Sequence, residues 1–145
     1  MADRTATDVA WLALGSNVGN RGHNLQRLQD EIDCRGAHVE AASSEILTRA
    51  VGLRRQPDYH NQVLRVRSRT PMTPHEWLRL CKDSETAAGR KQTYRWGPRI
   101  ADADILLLGE RGEIIVNEPD LTVPHAELRN RPFLARLLSE IGLPI

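Results

Sequence analysis

An α+β sandwich of the ferredoxin-like kind, with helices packed on an antiparallel sheet, is the architecture that the sequence predicts. Three observations lead there. Segments of strand and helix character follow one another in the order β-α-β-β-α-β. The helical segments carry recognisable start and stop residues. A chain of 145 residues suits one domain with its own core. Hydrophobic residues make up 40 % and charged residues 27 %, a balance that argues against disorder. Residues 1–145 are therefore read as a single domain, with residues 1–8 as a flexible leader.

The first element is a short apolar run at residues 9–14, closed by Gly15, and it reads as a buried strand. A turn rich in capping residues follows at 15–20, and then Leu25, Leu28 and Ile32 recur at helical spacing, with Gly36 as the expected C′ stop. Residues 38–48 read as a second strand and 49–58 as a loop punctuated by Gly52 and Pro57. Alternation over 59–69 gives the third strand. Thr73-Pro74-His75-Glu76 combines a capping box with proline at the first helical position, so a helix starts there and runs to Ala88, where Gly89 stops it. A polar, basic stretch at 90–99 leads into a fourth strand at 100–108. After a turn at 109–112 comes a short apolar piece at 114–116, and residues 130–141 read as a last helix. On that order the helices are expected on one face of the sheet.

Lys and Arg number 20 against 19 Asp and Glu, a net charge of +1, so nothing global points to nucleic acid or an anionic membrane. The longest apolar run, Ile105-Leu106-Leu107-Leu108, is far short of a membrane span, and the first eight residues contain no apolar signal-like stretch. Cys34 and Cys81 form no metal-ligand pattern and read as free thiols in a reducing compartment. The expectation is a cytoplasmic monomer.

The densest chemistry lies in Asp102-Ala103-Asp104. On a strand, residues two apart share a face with Cα atoms about 6.6 Å apart. Two carboxylates at the start of an apolar strand, whose face continues through Leu106 and Leu108, repel each other and lose hydration. A cation such as Mg²⁺, which favours carboxylates together with phosphate oxygens, relieves both problems; arginine partners at a solvated strand entrance would relieve them as well. Arg90, Lys91, Arg95 and Arg99 fall within ten residues just upstream, around Trp96-Gly97-Pro98. Fork-shaped donors beside an acid pair supply the parts for phosphoryl transfer, though a solvated basic loop has the same composition.

Tyr59 and Asn61 share a strand face and offer a ring to stack on and an amide to read the edge of a flat heterocycle. Phe133, the one phenylalanine, stands in the polar context Arg129-Asn130-Arg131-Pro132. Either aromatic is also an ordinary core residue. Glu85 lies on the stripe of Trp77, Leu78 and Cys81, where a carboxylate either reads a ligand or pairs with an arginine such as Arg90. Thr122 and His125 bring a hydroxyl and an imidazole onto one extended piece. Arg65, Arg67 and Arg69 make one strand face basic, which suits a solvated face or a guarded sheet edge better than RNA. The 15–20 turn lacks the Gly-Lys-Ser/Thr ending of a P-loop, so any ATP site uses another architecture.

Taken together, Leu14-Gly15-Ser16-Asn17, Gln56-Pro57-Asp58-Tyr59-His60-Asn61, Gly89-Arg90, Arg95-Trp96-Gly97-Pro98-Arg99, Asp102-Ala103-Asp104-Ile105 and Val123-Pro124-His125 resemble the 6-hydroxymethyl-7,8-dihydropterin pyrophosphokinase family, over nearly the whole chain. The resemblance implies a ferredoxin-like enzyme of folate biosynthesis that moves the terminal pyrophosphoryl group of ATP to the pterin hydroxymethyl oxygen and releases AMP. It implies that Asp102 and Asp104 bind two Mg²⁺ ions and that Arg90 and Arg99 hold the phosphates. Tyr59 and Phe133 would sandwich the pterin, with Asn61 and backbone near Thr48 and Val51 at its edge, and Trp96 would help close the site. Glu85, Ile105, Thr122, His125 and Arg131 would contact the nucleotide. Against the family pattern stand Arg49-Ala50 after Thr48, Gln92 in place of an arginine, and Ala101 and Ala103 around the acids. The competing reading is a pterin- and nucleotide-binding member weakened in catalysis.

Overall fold

The computed structural model describes residues 4–48, 58–89 and 101–143. Strand β1, Thr7–Ser16, is buried along almost its whole length and forms the centre of the sheet. It begins at Thr7, so Thr7 and Asp8, read from the sequence as flexible leader, are strand residues. Helix α1, Arg21–Asp33, is capped by Asn20, whose side chain accepts from the His23 N–H, and it buries Leu25, Leu28 and Ile32. The helix ends at Cys34, earlier than expected. Gly36, two residues beyond the cap with φ +82°, makes the turn into the next strand.

The single strand expected over 38–48 is two, β2 at Ala37–Ala42 and β3 at Ile46–Thr48, both paired with β4, Tyr59–Met72. Ser43 causes the break. Its N–H still donates to the Val63 carbonyl, but its hydroxyl accepts from the Val63 N–H and its carbonyl accepts from Gln62 Nε2, so side chains take the place of the return ladder bond at that point. Helix α2, Pro74–Ala87, has the expected capping box on Thr73 and Glu76. It stops as predicted at Gly89, whose φ of +99° only glycine adopts without strain.

Strand β5, Asp102–Leu108, pairs with β1 and ends the antiparallel order β2-β4-β1-β5. A bulge at Leu106 turns Leu106 and Leu107 to one side and Leu108 to the other, which corrects the expectation that one face runs from the acids through Leu108. Ile114 bridges Leu108, and a small hairpin follows from β6, Val116–Glu118, and β7, Leu121–Val123. A 3-10 turn at Ala126–Asn130 leads to α3, Pro132–Glu140.

Among the described residues three helices pack on the sheet, and they cover both faces. Helices α1 and α2 cover Ala10, Leu12, Leu14, Leu64 and Val66. Helix α3 covers the opposite side through Leu134, Leu137 and Leu138, which meet Val9, Trp11, Val63, Leu106 and Leu107. The expectation of helices on one face therefore fails for α3. Both tryptophan N–H groups in the core are satisfied, Trp11 by the Gly109 carbonyl and Trp77 by the Thr7 carbonyl. At the far end of the α3 face, Arg65 lies 5.0 Å from the Trp11 ring centroid. Arg65 and Arg67 share Glu40, and Arg67 also reaches Asp8. Those two guanidiniums are engaged by carboxylates of the same chain, which weighs against the RNA reading. No helix among the described residues is long and apolar enough to cross a membrane.

Candidate active site

Register places the acids. Asn61, Gly15 and Asp102 stand opposite one another on β4, β1 and β5, and the next row is Val63, Ala13 and Asp104. Directly opposed residues share a face, so both acids and Asn61 lie on the α3 side of the sheet. Asn61 and Asp102 are two strand spacings apart, about 10 Å. Gly15 between them adds no side chain, and a Cβ there would meet the Tyr59 ring at 3.4 Å. Tyr59 thus lies over the bare strip that separates the amide from the acid.

Asn61 commits its amide nitrogen to Thr48 Oγ1 at 2.8 Å, and also to the Ile46 and Tyr59 carbonyls at 3.2 Å. Its carbonyl oxygen is therefore the group it can offer to the N–H donors of a heterocycle. The same bonds bring Thr48 and Asn61 together. Phe133, at the start of α3, is half-buried against the cluster that covers this face.

A second group collects around the outer edge of β5. A cavity of about 260 Å³ is lined by Asp104, Ile105, Thr122 and His125, together with Leu78 and Lys82 of α2. His125 Nδ1 accepts from the Glu127 N–H at 3.0 Å, which leaves Nε2 as the ring's donor, and burial followed by the Arg131 charge pulls its pKa below the usual histidine value. Arg131 itself is exposed and 3.8 Å from Glu127. Lys82 was missed by the sequence reading. It sits one turn after Leu78 at the border of the buried stripe, and that position was the available signal.

Glu85 is buried, and its carboxylate accepts the Ala103 N–H at 2.7 Å. The buried Cys81 thiol is pushed well above its ordinary pKa, first by burial and then by Glu85, Asp104 and Asp102. Arg90, Arg99, Trp96 and Val51, with the Arg49-Ala50 and Gln92 departures, lie outside the described residues.

The donor set fits Mg²⁺ in a restricted sense. Among the described residues, no group of three or more His, Cys, Asp and Glu could hold a metal by itself. Mg²⁺ is commonly held by one or two carboxylates plus water and substrate phosphates. A pair of half-buried carboxylates on one strand face is suited to a cation whose remaining ligands arrive with a nucleotide.

Similarity to known proteins extends over most of the sequence. The family described as 7,8-dihydro-6-hydroxymethylpterin-pyrophosphokinase (HPPK) matches residues 11–143. A Haemophilus influenzae protein named 2-amino-4-hydroxy-6-hydroxymethyldihydropteridine pyrophosphokinase is 37 % identical over 135 residues, covering 92 % of this chain and 81 % of that one. A Bacillus subtilis protein of the same name is 34 % identical, with 92 % and 78 % covered. The mitochondrial folate synthesis bifunctional protein of Pisum sativum is 36 % identical over 143 residues, and there the chain spans 98 % of itself but 27 % of its relative. With that match running through β1, both acids and α3, the chain belongs to the 7,8-dihydro-6-hydroxymethylpterin-pyrophosphokinase family.

Proposed function

We propose that this chain transfers the pyrophosphoryl group of ATP to the hydroxymethyl oxygen of 6-hydroxymethyl-7,8-dihydropterin, in folate biosynthesis. The oxygen gives up its proton to solvent and forms a bond to the β-phosphorus, the bond between that phosphorus and the oxygen of the α-phosphate breaks, and AMP leaves. The observation that carries the reading is the place of the acid pair. Asp102 shares a row with Asn61, while Asp104 lines the cavity at the β5 edge. An acceptor read by Asn61 and a nucleotide lodged by Ile105, Thr122 and His125 would therefore meet at the carboxylates.

In this reading Tyr59 and Phe133 stack the pterin, and Thr48 and Val51 border its edge. His125 donates from Nε2, and Glu85 and Arg131 flank the nucleotide. Arg90 and Arg99 take charge on the transferred group, while Trp96 excludes water. Asp102 and Asp104 would hold two Mg²⁺ ions, which when bound neutralise phosphate charge. Catalysis is then mostly positioning and charge compensation, with no covalent intermediate on the protein. The chain is taken to act as a cytoplasmic monomer.

The test is AMP release by the purified protein, with and without the pterin, in Mg²⁺ and in EDTA. Release that requires both supports the proposal. Absence of release while both substrates still bind in calorimetry leaves a binding protein without the activity. Asp104→Ala should abolish turnover while circular dichroism stays that of the parent, and normal turnover in that variant would falsify the role of the acid pair. Arg99→Ala should lower kcat more than it weakens ATP binding, as separated by single-turnover kinetics.

A further inference from the structure

The Glu85 carboxylate has a partner on β5. It reaches the backbone between the two acids, 18 residues further along the chain. Among the described residues strand β5 is the last of its sheet, with β1 on one side and no strand of that sheet on the other. The N–H of Ala103 meets a helix side chain instead of a ladder partner, which means that it points away from β1. A buried backbone donor must be satisfied, and here the acceptor is a carboxylate that is itself only 7 % exposed, on the inward face of α2. Further along, the outward groups of β5 are met differently. The Leu106 carbonyl accepts from the His125 N–H, and Leu108 bridges Ile114. At the acids, Glu85 holds the outer edge.

We infer that Glu85 is a positioning residue: by accepting the Ala103 N–H it anchors the open edge of β5 to α2 and keeps Asp102 and Asp104 projecting together from one face. This rests on the reading of the acid pair as the cation site. The pitch of an edge strand is otherwise set from one side only, and a twist at Ala103 would swing its two neighbours apart. Removing a hydrogen-bonded partner just outside a metal site weakens metal affinity by about 10–100-fold.

Two substitutions separate reach from charge. Glu85→Asp keeps the charge but shortens the arm, and Glu85→Gln keeps the arm and an oxygen acceptor but removes the charge. The probe is Mn²⁺, followed by its paramagnetic resonance in the presence of a non-hydrolysable ATP analogue, together with hydrogen exchange of the Ala103 amide in the metal-free protein. The expectation is that Glu85→Asp weakens Mn²⁺ binding by at least about tenfold and exposes the Ala103 amide, while its KM for the pterin is unchanged. Glu85→Gln should keep the amide protected and bind Mn²⁺ close to the parent. Parental Mn²⁺ binding by Glu85→Asp, or loss of Ala103 protection in Glu85→Gln, overturns the inference; the second arm stands even if the aspartate variant does not fold. A contact with the nucleotide alone would move the KM for ATP and leave Ala103 protected in both variants, which also overturns it. Asp104→Ala, measured alongside, tells the two readings apart. If it retains Mn²⁺, the acid-pair reading fails. If it loses Mn²⁺ while Glu85→Asp does not, only the positioning role fails.

Discussion

At Asn61 a single amide nitrogen ties β3 to β4 and thereby decides which end of the side chain faces a ligand. Asn61→Ala should weaken pterin binding by about 1–3 kcal/mol, the usual range for an unmade buried hydrogen bond, and leave ATP affinity nearly unchanged; isothermal calorimetry with each substrate checks both halves. Glu140 offers a second test at this scale. Its carboxylate accepts the Ser44 N–H at 2.9 Å and the Ser44 hydroxyl at 2.8 Å, and these bonds hold its pKa below the ordinary glutamate value. A carboxylate with a depressed folded pKa stabilises above its unfolded pKa, and that contribution is lost as pH falls through the folded value. Glu140→Gln should therefore lower the Tm near neutral pH, and the gap to the parent should close on acidification; calorimetry from pH 7 to pH 3 reads this. The strand that carries Tyr59 and Asn61 on one face was legible from the alternation of its sequence. The bond of Asn61 to Thr48 was not, because the two residues are 13 positions apart and meet only across a strand pair.

Among the elements, α2 was the most legible, because Thr73, Pro74 and Glu76 are a local signal that needs nothing from elsewhere. Thr73→Ala should destabilise the protein by about 1 kcal/mol, a drop in Tm of about 2–4 °C for a chain of this size, visible in a thermal melt. The interrupted second strand was illegible for the opposite reason. Ser43 breaks it by partnering Gln62 and Val63, about twenty residues away, and no local composition announces that. The bulge at Leu106 is similar, since four consecutive apolar residues fit either face until β1 sets the register.

For the molecule as a whole, the sheet has two cores, and the acid pair, Asn61 and Phe133 lie on the side that α3 closes. The amphipathic pattern of α3 announced a buried stripe without saying which side of the sheet would receive it, so its position could not be read locally. The consequence is a coupling of stability to acceptor binding, because the helix that carries Phe133 also supplies Leu134, Leu137 and Leu138 to that core. Leu138→Ala, at a fully buried position, should cost about 2–5 kcal/mol in urea unfolding. In whatever fraction remains folded, pterin affinity should fall more than ATP affinity, a comparison that equilibrium binding below the transition makes directly.

Strand β5 has a liability apart from chemistry. An apolar run at the border of a sheet is a template on which another chain can add itself once its cover lifts away, and here that cover is the His125 bond to Leu106 and the Ile114 bridge to Leu108. In this protein the run Ile105 to Leu108 is preceded by two negative charges, and charge at an edge is a known guard against such growth. The aspartates that would grip a cation would then also keep neighbouring molecules apart. A charge-stripped strand should self-associate in concentrated solution, which light scattering detects, and a loaded cation, by cancelling the same charge, should push the protein some way in that direction too.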